Sequence, residues 1–253
     1  MPEKEDRMII LLTNDDGIHA KGINLLFDEL STKHEIYMIA PSEERSACSN
    51  AITMRSSLTI RSHDERKFSV DGFPADCVNI GLHGGLIPEP DLVVSGINHG
   101  PNMGDDIYYS GTVAGARVGF IHGKSGIAVS LTSNDRIEHL GDAAEYVLSF
   151  IESHADQIAR HKSFFNINYP AIPKNEIAGT AYTFLDKRSY KDSFIVKRSS
   201  QDERIVQLEG TVESARIEGS DYDLVNKGYV SVTPLKLDST DYDARTYYSN
   251  RGN

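Results

Sequence analysis

Cysteine is scarce: Cys48 and Cys77 are the only two, and they form no CxxC pair. That excludes a disulfide framework and a thiolate zinc site, and it fits a reducing, cytoplasmic setting. No apolar run approaches the ~20 residues that a membrane helix requires, so no membrane association is expected. Positive charge is in deficit, with 26 Lys and Arg against 37 Asp and Glu and a formal net charge of −11. A nucleic-acid scaffold relies on cationic patches and is disfavoured on that ground. The opening residues, MPEKEDR, resemble neither a secretory signal nor a transit peptide.

Common nucleotide motifs are missing too. Gly17-x4-Gly22 has the glycine spacing of a P-loop, but Ile23 and Asn24 stand where Lys and Ser or Thr must follow. No GxGxxG follows the first apolar run. None of the nine histidines makes a zinc pattern, and there is no HExxH. Tryptophan is absent, which excludes nothing. No internal repeat or low-complexity tract appears.

The chain does contain a stretch around which the rest is organised, MIILLTNDDGIHAKGI at residues 8–23. Its unbroken apolar run suits a strand buried on both faces of a parallel sheet. Two acids, Asp15 and Asp16, arrive where that strand ends, at the edge where open α/β sheets bind ligands. Adjacent carboxylates repel, so a cation or a set of donors is needed to keep both ionised. A turn with a helix cap is the plain alternative.

At 253 residues, 39% of them hydrophobic, the chain suits one large α/β domain with an appended part. A helix is expected over 20–33, a strand over 35–40 and a polar loop over 42–50. Strands are expected over 52–60 and 67–70, and a short helix opens at Pro74. A buried strand over 91–95 leads into the loop GINHGPNMGDDIYYSG, and a small-residue helix runs over 112–122. A strand over 126–131 and a long amphipathic helix over 137–161 follow. The alternation predicts a Rossmann-like, doubly wound, mostly parallel sheet over residues 1–162. From residue 163 the texture turns β-rich, with a short helical stretch over 221–225 and a polar, extended tail. Residues 163–253 are therefore expected to be an extension that covers the site or joins subunits.

The loop over 95–111 concentrates Ser95, Asn98, Asn102, Asp105, Asp106, Ser110 and four glycines. Loops of that length usually carry function. Asn amide oxygens are neutral, hard donors that complement two carboxylates around a Mg²⁺-type ion. Ser110, Gly111 and Thr112 open the next helix, where free N–H groups favour phosphate. Ser46 offers a hydroxyl and Arg45 a guanidinium in the loop after the second strand, although a solvated loop accounts for both. His19 and His99 lie in the site loops, where either could bind substrate, and read first as surface histidines. Cys48 reads as a buried small hydrophobe, with no histidine placed to activate it.

Taken together, TNDDGIHAKGI (13–23), APSEERSACSNAIT (40–53), GFPADCVNIGL (72–82) and DLVVSGINHGPNMGDDIYYSGTVAGA (91–116) resemble the survival protein E (SurE) family of metal-dependent nucleoside-monophosphate phosphatases. GYVSVTPL (228–235) adds a fifth, weaker match. The resemblance implies a Rossmann-like core and a C-terminal β extension exchanged between subunits of a homodimer or homotetramer. It implies hydrolysis of nucleoside 5′- and 3′-monophosphates, with polyphosphate as a secondary substrate. By motif matching, one divalent cation (Mg or Mn) falls on Asp15, Asp16, Ser46 and Asn98. Asn14, Asn98, Asn102, Ser110, Gly111 and Thr112 fall where phosphate should sit, with Asp15 and Asn14 as the catalytic pair. The chain departs from the family pattern at Val118, where an acid is usual, and at Cys48, where a smaller residue is usual.

The expected mechanism is metal-assisted phosphomonoester hydrolysis, Asp15 orienting or deprotonating a water. A variant makes Asp15 a covalent nucleophile. The rival from another class is a receiver-like, non-catalytic Mg- or nucleotide-binding regulator. It would need an acid ending a middle strand and a lysine ending a later one, whereas Asp91 precedes its strand and Thr132 follows GIAVSL.

Overall fold

The structure is a computed structural model describing residues 7–133, 135–200 and 202–250; the first six residues and last three of the chain lie outside it. The apolar run becomes β1 (Ile9–Thr13), and α1 (Lys21–Ser31) turns Ile23, Leu26 and Leu30 inward. β2 (Glu35–Pro41), β3 (Ile60–Ser62) and β4 (Lys67–Val70) follow. α2 (Pro74–His83) starts on its proline, with the Asp76 carboxylate accepting the Phe73 N–H at 2.9 Å. β5 (Leu92–His99) leads to a 3₁₀ turn, Gly104–Tyr108, and to α3 (Gly111–Ile121). β6 (Ser125–Leu131), α4 (Leu140–Ser153), α5 (Ala155–Arg160) and β7 (Phe164–Tyr169) come next. The chain closes with β8 (Gly179–Tyr182), β9 (Arg188–Ser199), β10 (Arg204–Ser214), α6 (Asp221–Asn226), β11 (Tyr229–Pro234) and α7 (Tyr242–Ser249).

Among the described residues, nine strands form one sheet in the order β3-β4-β2-β1-β5-β6-β7-β11-β8. The six from β4 to β7 are mutually parallel, while β3 and β11 run antiparallel to β4 and β7. The fold is therefore the expected mostly parallel α/β sheet. From β1 the chain moves outward through β2 in one direction and from β5 through β6 in the other, so the order reverses between β1 and β5. That reversal opens a crevice at the carboxyl ends of the two strands.

Alternate residues of β1 serve opposite faces, as a strand requires. Ile10 and Leu12 join the layer of α1 and α4, with Ile23, Leu30, Val147 and Ile151; Leu11 joins Val78 and Val118 from α2 and α3. Two helices approach the sheet at backbone distance. A Cβ on Gly22 of α1 would lie 2.1 Å from the Ile97 carbonyl oxygen. On α3, a Cβ on Gly115 would meet Ser95 Oγ at 2.7 Å and Thr13 Cγ2 at 2.8 Å, and one on Gly119 would meet Val93 Cβ at 2.6 Å.

Five expectations change. Of residues 52–60 only Ile60 enters a strand, because side chains satisfy the backbone instead: Asp76 accepts the Thr53 N–H and hydroxyl at 2.8 and 2.9 Å, and Asp71 accepts the Thr59 N–H at 2.8 Å. The long helix over 137–161 opens with a 3₁₀ turn, Ile137–His139, and breaks at His154, where Ser153 Oγ and His154 Nδ1 both engage the Phe150 carbonyl. β5 runs four residues past Ser95, with a register shift and a cis Gly96–Ile97 bond. The tail is helical over α7, whose N-cap Asp241 accepts the Ala244 N–H at 2.8 Å. Beyond residue 162, β7, β11 and β8 continue the main sheet, and only β9 and β10 form a separate two-stranded sheet. Among the described residues no helix is long and apolar enough to cross a membrane.

The close approach at Gly22 is testable. Gly22→Ala should destabilise the protein by about 1–3 kcal/mol through overpacking against β5. Gly141→Ala, at a helical position with open space around it, should be neutral or stabilising. Urea titrations of the two variants check this.

Candidate functional site

Loops at the crevice are stitched together before any ligand is considered. The Ile18 N–H donates to the Pro41 carbonyl at 2.8 Å, and the Arg45 N–H donates to the Asp15 carbonyl at 2.7 Å, joining the β1 and β2 loops. Gly17 takes a positive φ of 95°, and a Cβ there would press on the Glu43 backbone at 3.2 Å, so glycine suits this turn.

A cavity of about 530 Å³ opens above these loops. It brings Asp15 and Asp16 from the end of β1 together with Ser46 from the β2 loop, Asn98 from β5, and Asn102 and Ser110 from the following loop. Glu44, His99, Asp106 and Tyr109 line it too. No sequence pattern singles out Glu44 or Tyr109, and His99 reads there as a surface residue. In the structure its Nε2 is buried without a hydrogen-bond partner.

Asn14, Gly111 and Thr112 lie behind this lining. Asn14 is fully buried, its Nδ2 donating to the Gly17 carbonyl at 2.9 Å and its Oδ1 without a partner. Gly111 and Thr112 turn towards Asp15. The Thr112 hydroxyl donates to Asp15 Oδ1, and the Gly111 and Thr112 backbone N–H groups favour the ionised form of the same carboxylate. A Cβ at Gly111 would fall 2.7 Å from Asp15 Oδ2 and 2.6 Å from Cys48 Sγ, so only glycine lets the start of α3 sit this close. The helix N-terminus, with its partial positive charge, therefore faces a protein carboxylate. Ser110 caps α3, its Oγ accepting the Val113 N–H at 3.0 Å.

Burial pushes the Asp15 carboxyl above its ordinary range, opposed by these hydrogen bonds. Asp16 is pushed up to about 7, first by burial and then by the charge of Asp15, against an opposing hydrogen bond from the His99 N–H. Burial also pushes the half-buried Cys48 thiol up to about 11, which leaves it a poor nucleophile. Val118 is buried against the lower sheet face, in the cluster with Leu11 and Val93.

The donor set fits a hard cation. Asp15, Asp16, Asn98 and Ser46 offer only oxygen, as Mg²⁺ and Mn²⁺ prefer. The Asn98 amide nitrogen already donates to the Gly100 carbonyl at 2.8 Å, which leaves its oxygen as the remaining donor atom. Asp16 Oδ2 is buried with no hydrogen-bond partner, a costly arrangement that a cation would relieve. No group of three His, Cys, Asp or Glu gathers to hold a metal among the described residues, so the amide and hydroxyl are required members of such a set.

A support that sequence reading missed comes from β7. Asn168 Oδ1 accepts the Asn102 N–H at 2.9 Å, while Asn166 and Asn168 donate to the Asn102 carbonyl at 2.8 and 2.9 Å. The Asn102 amide donates to Ser130 Oγ at 2.8 Å. The signal was present: polar Asn166 and Asn168 alternate within FFNINY, a strand with every residue buried. Asn168→Leu strands the Asn102 backbone and should cost about 1–3 kcal/mol, read as a lower urea midpoint at unchanged slope.

Comparison with known proteins follows the same lines. Residues 10–192 match the model of the family described as survival protein SurE. A protein of Geotalea daltonii named 5′-nucleotidase SurE is 39% identical over 239 residues, covering 94% of this chain and 96% of its own. A protein of the same name from Leptospira interrogans is 40% identical over 244 residues, covering 96% and 97%. The crystal structure of the SurE protein from Aquifex aeolicus superposes with a TM-score of 0.85 at 34% identity, over 97% of this chain and all of that one. With a family match over most of its length and relatives near 40% identity along nearly all of it, this chain belongs to the SurE family.

Proposed function

We propose that this protein is a metal-dependent nucleotidase that hydrolyses nucleoside 5′-monophosphates, and 3′-monophosphates in addition, to nucleoside and phosphate. The observation that carries the reading is the convergence of Asp15, Asp16, Ser46 and Asn98, from three separate strand ends, on one cavity with an unpartnered buried carboxylate oxygen. The activity named for its relatives supports it.

Those four residues would hold one Mg²⁺ or Mn²⁺. Bound there, the ion supplies positive charge against the phosphate and makes a nearby water more acidic. The remaining work belongs to the chain. Asp15 is fixed by Thr112 and by the start of α3, and its desolvated carboxylate orients the attacking water and takes its proton. Asn98, Asn102 and Ser110, which line the cavity, would meet the phosphoryl oxygens. Asn14 holds the turn through Gly17, and Gly111 and Thr112 act through Asp15. These roles give no part to a receiver-like regulator.

Self-association through the C-terminal part belongs to the same proposal. An isolated two-stranded hairpin is marginally stable in water, yet β9 and β10 stand apart from the main sheet with Phe194 65% and Leu208 56% exposed. A homodimer or homotetramer exchanging this arm would cover those side chains. Cys48 and Cys77 are both free thiols, which suits the reducing cytoplasm.

Asp15→Asn should lower kcat for nucleoside monophosphates by about 10²–10⁴-fold and leave the melting temperature unchanged or higher, because a buried charge is removed. Near-normal turnover of this variant in excess Mn²⁺ would refute the assignment. EDTA should abolish hydrolysis by the wild type, and added Mg²⁺ or Mn²⁺ should restore it. Activity that persists after exhaustive chelation would rule out the metal.

A further inference from the structure

The proposed phosphate cavity has an electrostatic difficulty. Four carboxylates line it, those of Asp15, Asp16, Glu44 and Asp106, and none of its described lining residues is a lysine or arginine. A dianionic phosphate is repelled by such a wall, more strongly where water is excluded. Asp15 and Asp16 are the acids a cation would neutralise. Glu44 accepts the Ser46 hydroxyl at 2.6 Å. Asp106 belongs to neither group.

Asp106 lies in the 3₁₀ turn that leads into Tyr109 and Ser110, and it is met from behind the cavity by the Arg188 guanidinium. The two side chains are only 13% and 10% exposed, so water screens this pair weakly. Arg188 is the first residue of β9, and backbone ties fix its approach. Its N–H donates to Asp105 Oδ2 at 3.2 Å. The buried Asp221 carboxylate accepts the Gly104 N–H at 2.8 Å and the Asp186 N–H at 2.9 Å, joining turn and hairpin root through one side chain. A Cβ at Gly104 would lie 2.7 Å from the Asp186 carbonyl oxygen, so the two segments touch through their backbones.

We propose that Arg188 is a positioning residue for the hydrolytic site: it fixes and neutralises Asp106 so that the cavity accepts a phosphate dianion. This rests on the phosphomonoesterase reading above. Arg188 does not line the cavity and acts on the substrate only through Asp106. The root of the hairpin is thereby part of the enzyme's anion-binding apparatus.

The test measures KM and kcat for a nucleoside 5′-monophosphate in the full-length wild type, Arg188→Gln, Arg188→Lys and the double variant Arg188→Gln/Asp106→Asn. Arg188→Gln removes the cation from Asp106, and KM should rise by about tenfold or more, with kcat changing less. Removing the Asp106 charge in the same background should bring KM back towards the wild type. A role confined to packing makes the double variant no better than the single one, and that result would overturn the proposal. So would a KM for Arg188→Gln within about twofold of wild type. Arg188→Lys keeps the cation and should stay within about threefold; a loss equal to that of the glutamine variant also counts against it. Should Arg188→Gln fail to fold, a KM for Arg188→Lys more than about tenfold above wild type would overturn the proposal.

Amide hydrogen exchange without substrate separates this proposal from the reading it rests on. Residues 104–110 should lose protection in Arg188→Gln while β5 keeps its own. Unchanged protection there refutes the positioning role even if the wild type turns over nucleotides. Loss of protection in a protein that hydrolyses no nucleotide would instead refute the phosphomonoesterase reading.

Discussion

Direct seating of α3 on the sheet is the constraint on which the site depends. Gly111, Gly115 and Gly119 recur every four residues, so they form one stripe along the helix. That stripe lets the helix backbone lie directly on the side chains of Thr13, Ser95 and Val93, with no helix side chain between. A helix held one methyl further out would carry its first N–H groups and the Thr112 hydroxyl out of reach of Asp15. The carboxylate would then be buried without donors, and burial alone would favour its neutral form. Packing of small residues in the middle of the molecule thus places the donors that oppose the burial of Asp15.

The fold was legible where local pattern and tertiary demand coincide. β1, α1, β2, β4, α2, α3 and β6 follow directly from apolar runs, helical stripes and a helix-opening proline. Boundaries failed where a side chain replaced a backbone partner. Asp76 draws Thr53 out of a strand, and His154 folds back on Phe150 to divide a helix. The placement of β7, β11 and β8 in the main sheet could not be read locally, because alternation marks a strand without naming its neighbour.

At the site, six of the residues that touch the cavity were legible because chemistry-bearing side chains clustered at predicted strand ends, whereas Glu44, His99 and Tyr109 were not. Asp15, Asp16, Ser46, Asn98, Asn102 and Ser110 all line it. Their supports were less legible. Gly111 and Thr112 read as phosphate donors from helix position alone, and only three-dimensional packing shows the Thr112 hydroxyl bonded to Asp15 and Gly111 packed against it. Arg188 offered no local signal, since a basic residue in an exposed-looking strand is ordinary. Asn166 and Asn168 did offer one, polar residues inside an otherwise apolar buried strand.

The same connectivity has a consequence for how the protein matures. Thr112 reaches Asp15 across 97 positions of chain, and Arg188 reaches Asp106 across 82. Contacts of such high sequence separation form late and make folding slow. A nascent chain that has emerged only through β6 holds the acids of the cavity with no Arg188 yet behind Asp106. The walls of the cavity therefore come together only once β9 has been made, late in synthesis.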